Sequence, residues 1–171
     1  GEVAYVLITV TNNTGGGVPV SMANIRGARE ICSRHGVLLY MDAARYAENA
    51  WRIKEFEEGY QDVSIRSIVK EMCSYFDGMI MSSKKDAIVN IGGFIALNDE
   101  ELYKKLASVN VLFEGFPTYG GQASYTMESL AQGLYEGVDE NYLRYRLKDI
   151  RYLADKLLSL GIPIVVPVGG H

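Results

Sequence analysis

The fold is decided by residues 3–42, which read VAYVLITVTNNTGGGVPVSMANIRGAREICSRHGVLLYMD. Residues 3–10 are apolar and rich in β-branched side chains, and the run of Asn, Thr and Gly after them is typical of a loop, so a buried strand is predicted there. Ser21 is placed to cap a helix that runs through His35, and a glycine follows to end it. The stretch then closes on a second apolar run that ends at Asp42. Strand, loop, helix and strand in this order predict two parallel strands.

The rest of the chain continues the alternation of helices and strands. Ser64 is placed to cap a helix with an apolar face, and Asn98 with Glu101 has the spacing of a capping box for another. The strongest helical periodicity covers 141–160, whereas 42–62 has no clean period. Further strands are predicted at 78–81, 92–97 and 162–166. The sequence therefore predicts an α/β domain with a mostly parallel sheet, in which ligands bind at the carboxyl ends of the strands.

Composition narrows the class of protein. The 171 residues suit one domain or a large part of one, and an apolar fraction of 48 % is enough for a substantial core. A net charge of −4 argues against a nucleic-acid-binding protein, which would carry a basic patch. No run approaches the ~20 apolar residues of a membrane span. Cys32 and Cys73 indicate no disulfide framework, and both fall on apolar helix stripes that are predicted to lie in the core. A cytoplasmic protein fits these features.

Both ends of the chain look cut. A predicted strand begins almost at Gly1, and 168–171 directly follow an apolar run, where a complete protein more often has frayed polar ends. The first residues also lack the basic region and the cleavage site of a signal peptide. We therefore expect an internal segment, whose active site lacks some of its parts.

Polar side chains follow three of the predicted strands, and parallel strands would place these three loops on one edge of the sheet. The residues concerned are Asn13, Asp42, Arg45, Ser82, Lys84 and Lys85. Pyridoxal phosphate requires a lysine amine that forms an imine with its aldehyde, a carboxylate beside its pyridine nitrogen, and donors for its phenolate oxygen and phosphate. An aspartate at one strand end and a lysine at a later one supply the two essential parts.

Simpler interpretations exist for each of these residues: a solvated turn at 84–86, a helix cap at Asp42, a surface ion pair at Arg45 and a loop position at Asn13. If Lys85 is the reactive lysine, the ammonium of Lys84 beside it favours the neutral amine that attacks. The sequence has no zinc-ligand spacing among its His, Cys, Asp and Glu residues. It also lacks a nucleophile elbow, a phosphate loop and a dinucleotide-binding fingerprint.

Six segments, taken in order, resemble the β-eliminating lyases, the family of the tryptophanases (tryptophan indole-lyases) and the tyrosine phenol-lyases. They are VSMAN (20–24), DAAR with ENA after it (42–45 and 48–50), MSSKKDA (81–87), VNIGGF (89–94), EGFPTYGG (114–121) and PVGGH (167–171). Because they span nearly the whole chain, the resemblance is specific. It implies the aspartate-aminotransferase-like fold of pyridoxal phosphate-dependent transferases, fold type I. Residues 1–171 would then be the central part of the cofactor-binding large domain and run toward the junction with the small domain.

The resemblance also implies a role for each polar residue. Lys85 would be the lysine that binds pyridoxal 5′-phosphate as an imine, and Lys84 the adjacent active-site lysine. The remaining contacts would be Asp42 with the pyridine nitrogen, Arg45 and Asn13 with the phenolate oxygen, Ser82 with the phosphate, and the backbone oxygen of Asn90 with a potassium ion. Members of the family are tetramers with active sites at a dimer interface, so a homotetramer is expected.

The activity that the resemblance implies is β-elimination from an aromatic amino acid. Residues 42–49 and 116–119 are closer to the tryptophanases, so L-tryptophan is the expected substrate, and indole, pyruvate and ammonia are the expected products. Residues 90–94 and 164–171 are equally similar to the tyrosine phenol-lyases, which leaves L-tyrosine, released as phenol, as the alternative. A truncated segment that does not hold the cofactor, or another enzyme of the same fold such as an aminotransferase, would also fit.

Overall fold

The computed structural model describes residues 2–116, 118–166 and 168–169. Strands β1 (Tyr5–Thr9), β2 (Leu38–Asp42), β3 (Gly78–Ser82) and β4 (Gly93–Leu97) form a four-stranded sheet in that order. A separate two-stranded hairpin consists of β5 (Gly115–Phe116) and β6 (Tyr119–Gly120). Within the described residues, helices α1 to α6 cover Met22–His35, Tyr46–Phe56, Ile65–Ser74, Glu100–Asn110, Ser124–Glu136 and Glu140–Ser159.

The sheet is mostly parallel, as the sequence predicts. Strands β1, β2 and β3 are parallel, and β4 is antiparallel to β3. Thr9 pairs with Asp42, and Asp42 with Ile80, so the three parallel strands end at one edge of the sheet, with β3 running on to Ser82. We call this the carboxyl edge of the sheet. Because β4 runs the other way, it starts at the carboxyl edge and ends at the opposite one.

Helices α1 and α3 begin where local chemistry predicts, and α1 also ends there. The Ser21 hydroxyl accepts a hydrogen bond from the Asn24 amide at 3.1 Å, and the Ser64 hydroxyl accepts one from the Ser67 amide at 3.2 Å. Each bond satisfies one of the amides that a helix leaves unpaired in its first turn. Gly36 ends α1 with a φ of 65°, a conformation that glycine adopts without strain.

The core lies between one face of the sheet and helices α1 to α3. Leu39 and Met41 project from β2 on this face and are fully buried, together with Met22, Ile25, Ile53, Ile68 and Met72 from the helices. Cys32 is buried and Cys73 packs against the same core, as the sequence predicts, and both thiols are free. The other face of the sheet exposes apolar side chains at Tyr5, Leu7, Leu38, Ile80 and Ile95. No helix among the described residues is long and apolar enough to cross a bilayer.

Helix α2 lies in a stretch where the sequence has no clean helical period. Over 46–53 it has no exposed polar side chain, because polar and apolar residues alike are buried: Tyr46, Ala47, Glu48, Asn49, Ala50, Arg52 and Ile53. Sequence periodicity detects a helix by the contrast between a buried face and a solvated one. A helix buried on several sides, with charged residues inside, lacks that contrast.

Two local predictions are wrong, and one helix was not predicted. Asp99, not Asn98, caps α4 and accepts a hydrogen bond from the Leu102 amide at 2.9 Å. Asn98 instead donates its side-chain amide to the Phe76 carbonyl at 3.2 Å, a tertiary contact that local spacing does not reveal. The predicted strand at 162–166 is irregular, and helix α5 forms where no helix was predicted.

Candidate active site

The three polar loops meet at the carboxyl edge, as parallel strands require. Asn13 lies in a single turn of 3-10 helix shortly after β1, Asp42 is the last residue of β2, and Ser82 is the last residue of β3. Arg45 stands just before α2. Lys84 and Lys85 lie in the loop that follows Ser82. Their shared edge is confirmed, whereas their individual roles stay predictions.

One carboxylate oxygen of Asp42 accepts a hydrogen bond from the neighbouring backbone. Its Oδ1 accepts a hydrogen bond from the Ala44 amide two residues on, at 3.1 Å, which fixes the turn that leads into α2. Asp42 is not the cap of α2 itself, because Arg45 occupies the N-cap position and makes no side-chain cap bond. The carboxyl group is half-buried, and among the described residues Oδ2 accepts no hydrogen bond. One acceptor of Asp42 therefore remains for a ligand.

Arg45 is mostly buried and incompletely paired. Its side chain is 14 % exposed, and Nε lies 3.8 Å from Glu48 Oε2, too far for a hydrogen bond. Neither Arg45 Nε nor Glu48 Oε2 has a hydrogen-bond partner in the described parts of the chain. A buried guanidinium nitrogen without a partner is costly, so a bound anionic oxygen at this edge would stabilise it.

Glu48 connects this edge to α6. Its carboxylate is fully buried and forms an ion pair with Arg146, Nε to Oε1, at 2.5 Å. Burial raises the pKa of Glu48, and the guanidinium groups of Arg146, Arg45 and Arg52 oppose that rise. The Arg146 guanidinium is itself partly buried, which lowers its pKa, but attraction to Glu48 outweighs this and the net shift is upward. The pair fixes α6 against α2.

The loop after β3 carries the predicted reactive lysine. Lys85 is half-buried and Lys84 is exposed. The next residue, Asp86, is buried, and its Oδ2 accepts hydrogen bonds from the Ala47 and Glu48 amides at 2.7 and 2.9 Å. Asp86 thus supplies the cap that α2 lacks in its own sequence. Sequence reasoning missed this role, and the available signal was an aspartate directly after the candidate lysine.

Helix α2 also holds the loop after β1. The buried amide of Asn49 accepts hydrogen bonds from the Thr11 hydroxyl at 3.3 Å and the Val20 amide at 2.8 Å, and donates to the Val20 carbonyl at 2.9 Å. These bonds lie on either side of Asn13. One helix that the sequence pattern does not reveal therefore contacts all three loops of the site.

Two β-branched residues in these loops have left-handed backbone conformations. Thr11 has a φ of 49° and Ile88 a φ of 57°. Branching at Cβ makes this region unfavourable, at a cost on the order of 1–3 kcal/mol for each residue. Thr11 lies two residues before Asn13 and Ile88 three after Lys85. Such strain is typical of functional sites, where the surrounding contacts impose the conformation.

The donor set fits pyridoxal phosphate. An amine, a carboxylate with an uncommitted oxygen and a guanidinium with an unpaired nitrogen follow adjacent strands, and the cofactor presents an aldehyde, a protonated ring nitrogen and anionic oxygens to match them. Ser83, next to Ser82, has a buried hydroxyl with no partner in the described residues. Asn90 is exposed between this loop and β4, and its proposed part in potassium binding stays a prediction. The described residues contain no group of three or more His, Cys, Asp or Glu side chains that could hold a metal ion.

A family model and similar curated proteins agree on one family for this chain. The family model described as Beta-eliminating lyase matches residues 1–170. A tryptophanase from Salinibacter ruber is 57 % identical over 170 residues, and a tyrosine phenol-lyase from Symbiobacterium thermophilum is 54 % identical over 170 residues. Each match covers 99 % of this chain, but the chain spans only 36 % and 37 % of the length of these curated relatives.

Solved structures show the same architecture at low sequence identity. A protein assigned as an aromatic amino acid beta-eliminating lyase/threonine aldolase from Exiguobacterium sp. has a TM-score of 0.65 at 18 % identity, over 92 % of this chain and 40 % of its own. A methionine gamma lyase from Micromonospora echinospora has a TM-score of 0.57 at 14 % identity, over 91 % of this chain and 36 % of its own. At these identities the likeness shows the fold alone.

Proposed function

The chain belongs to the β-eliminating lyase family, and from that premise we propose that it forms part of the active site of a pyridoxal phosphate-dependent lyase. The proposed reaction is the β-elimination of L-tryptophan to indole, pyruvate and ammonia. The observation that carries the proposal is the position of Asp42, the last residue of β2, and of Lys85, in the loop after the adjacent parallel strand β3, at one edge of the sheet. A single small aromatic cofactor requires an amine and a carboxylate in such neighbouring positions.

The chain's own residues have distinct tasks in this proposal. When bound, pyridoxal phosphate supplies an aldehyde carbon and a ring that withdraws electrons from the α-carbon of the substrate. Lys85 Nζ would hold that aldehyde carbon and, once the substrate amine has taken its place, would move a proton to and from the substrate α-carbon. Asp42 holds a proton on the ring nitrogen through the oxygen that Ala44 does not engage. Lys84 keeps a second positive charge beside the first amine.

Anionic parts of the cofactor require donors, and the edge provides them. Arg45 has an unpaired buried nitrogen, and we propose that it binds the phenolate oxygen together with Asn13. A charge-assisted hydrogen bond of this kind is roughly twice as strong as a neutral one. Ser82 is proposed to bind the phosphate, and the backbone oxygen of Asn90 to bind potassium. These assignments follow the family resemblance of the segments that contain them.

The wider properties are also proposals. Fold type I, a place for 1–171 in the cofactor-binding large domain, a homotetramer and a cytoplasmic location follow from the family. L-tyrosine as substrate is the second candidate, because relatives named tyrosine phenol-lyase and tryptophanase match this chain at 54 % and 57 % identity. A difference of 3 percentage points does not choose between phenol and indole as the leaving group.

The deciding experiment uses the intact protein with added pyridoxal phosphate. We expect borohydride to fix the cofactor to Lys85, identified by peptide mapping, and tryptophan to yield indole, pyruvate and ammonia without a keto-acid acceptor. Lys85→Ala should lose both the label and the turnover. Lys105→Ala, an exposed lysine on α4, is the matched control and should retain both.

Other results would show that the substrate, the reaction type or the role of Lys85 is wrong. Phenol from tyrosine with no indole would replace the substrate and keep the reaction. A requirement for a keto-acid acceptor would indicate an aminotransferase. Protein that takes up no label at Lys85 would refute the catalytic proposal.

A further inference from the structure

The loop that carries Lys85 is attached to α2 by the residue that follows it. Asp86 Oδ2 accepts two hydrogen bonds from the first turn of the helix, from the Ala47 amide at 2.7 Å and the Glu48 amide at 2.9 Å. The Asp86 amide donates to the Ala44 carbonyl at 3.3 Å. Three hydrogen bonds from one residue thus connect the loop after β3 with the loop after β2.

These contacts also fix the position of the two functional loops relative to each other. Ala44 and Ala47 lie on either side of Arg45, and Lys85 is covalently bonded to Asp86. A carboxyl oxygen that accepts two amides in the first turn of a helix is held in place by both hydrogen bonds. The backbone of Lys85 can therefore shift relative to Arg45 only if these bonds break.

Helix α5 closes the loop from the other side. A Cβ at Gly133 would lie 1.7 Å from the Ala87 carbonyl oxygen, and a Cβ at Gly137 would lie 2.2 Å from the Asp86 carbonyl oxygen. Only glycine permits the helix to approach the loop backbone this closely. The loop is therefore confined between α2 and α5, with Asp86 as its polar attachment.

We infer that Asp86 is a positioning residue, whose carboxylate holds Lys85 at the distance from Asp42 and Arg45 that one bound cofactor requires. The inference rests on the proposed function, since it assumes that Lys85 binds the cofactor. Asp86 is buried among the charged groups of Glu48 and Arg146, and it contacts backbone amides of the protein. Any effect of Asp86 on cofactor binding therefore comes from the position that it gives to Lys85.

Shape and charge can be separated by three substitutions at this position. Asp86→Asn keeps an acceptor oxygen in place but cannot ionise. Asp86→Glu keeps an ionisable carboxyl group but moves it outward by one methylene, and Asp86→Ala removes the acceptor. Asp99→Ala is the matched control, because Asp99 also caps a helix, α4, through an aspartate oxygen at 2.9 Å but lies at the opposite edge of the sheet.

The test on the intact protein has two readouts besides turnover. Without cofactor, amide hydrogen exchange at Ala47 and Glu48 should be about fivefold faster in Asp86→Ala than in wild type, as expected for a lost cap. The second readout is labelling with pyridoxal phosphate and borohydride. The pyridoxal phosphate concentration that gives half-maximal labelling of Lys85 should rise about tenfold or more in Asp86→Ala and Asp86→Glu, because a shift near 1 Å in a reacting group is costly. Part of the label should also move to Lys84. Asp86→Asn should stay within about threefold of wild type, and Asp99→Ala should match wild type.

The outcomes separate the inference from the proposed function. A wild-type protein without label at Lys85 refutes the proposed function and, with it, this inference. A labelled wild type combined with Asp86→Glu and Asp86→Ala that label as Asp99→Ala does overturns the inference alone. An Asp86→Asn protein that loses the label while Asp86→Glu keeps it also overturns it, because charge and not position would then be the cause. If Asp86→Ala fails to fold, Asp86→Asn and Asp86→Glu still decide between position and charge as the cause.

Discussion

Replacing Gly133 by alanine tests how tightly α5 holds the loop that carries Lys85. An added Cβ would lie 1.7 Å from the Ala87 carbonyl oxygen, whereas real Cβ atoms essentially never approach a heavy atom within 3.0 Å. Helix and loop must therefore separate by at least 1.3 Å, the difference between those two distances. The contacting atom is backbone, so no side-chain rotation can relieve the clash.

The expected cost has two parts. Overpacking a filled interior costs about 1–3 kcal/mol of stability. Because Ala87 is two residues from Lys85, the shift also moves the amine, and misplacing a reacting group by ~1 Å costs about a hundredfold in rate. We therefore expect Gly133→Ala to lower both the free energy of unfolding in urea and the labelling of Lys85 by pyridoxal phosphate and borohydride.

Gly27→Ala is a matched control with the opposite sign. Gly27 lies within α1, and nothing stands within 4 Å of a Cβ added there. Alanine in a helix is more favourable than glycine by about 0.5–1 kcal/mol, so this variant should be more stable than wild type and label normally. If Gly133→Ala behaves like Gly27→Ala in both assays, the confinement of the loop by α5 is wrong.

Three further predictions concern the charged groups. Arg146→Ala leaves the buried Glu48 carboxylate without its ion-pair partner and should lower the free energy of unfolding by about 2–3 kcal/mol. This is less than for a fully buried pair because the arginine is partly exposed. Urea unfolding measures the change, and adding Glu48→Gln to the same protein should recover part of the lost stability. Burial, followed by repulsion from Glu48, raises the pKa of Asp86 to about 7, whereas an unfolded aspartate titrates near pH ~4. Between these values the folded state binds a proton that the unfolded state does not, so the contribution of Asp86 to stability is full below the lower value and is lost as pH rises toward the upper one. Asp86→Asn should therefore show a weaker decline in stability from pH ~4 to ~8 than wild type, and identical urea midpoint profiles would contradict this. Asp42→Ala should lower kcat by about a thousandfold or more, equivalent to about 4 kcal/mol of barrier, while Lys85 still takes up the label; turnover within tenfold of wild type would show that the carboxylate does not serve the ring nitrogen.

The parts of the fold that depend on local chemistry are predictable from sequence. Ser21 and Ser64 cap their helices because a hydroxyl reaches an amide three residues on, whatever the rest of the chain does. The same reasoning brings Asn13, Asp42 and Ser82 to one edge, since parallel order follows from the succession of strands and helices. Both predictions need only neighbouring residues or element order, and both are confirmed.

The parts that depend on distant contacts are not predictable in this way. Asn98 and Asp99 are equally able to cap α4, and the choice is made by the Phe76 carbonyl, 22 positions from Asn98. The apolar run at 162–166 forms no strand, because apolar composition alone does not provide a neighbouring strand for pairing. The cap of α2 comes from Asp86, which is 39 residues after Ala47 and invisible to any local pattern.

The buried polar side chains of α2 are best explained by the loops that they position, and not by a gain in the stability of the fold. The ion pair of buried Glu48 with partly exposed Arg146 loses in desolvation about as much as it gains by attraction, so an apolar helix could hold the core equally well. What apolar side chains cannot do is accept directed hydrogen bonds from loops. Asn49 accepts from the loop after β1, and the first turn of α2 donates to Asp86 in the loop after β3. Because these bonds have fixed lengths and directions, α2 sets the separation of the loops, and with it the separation of the amine and the carboxylate on which the proposed chemistry depends.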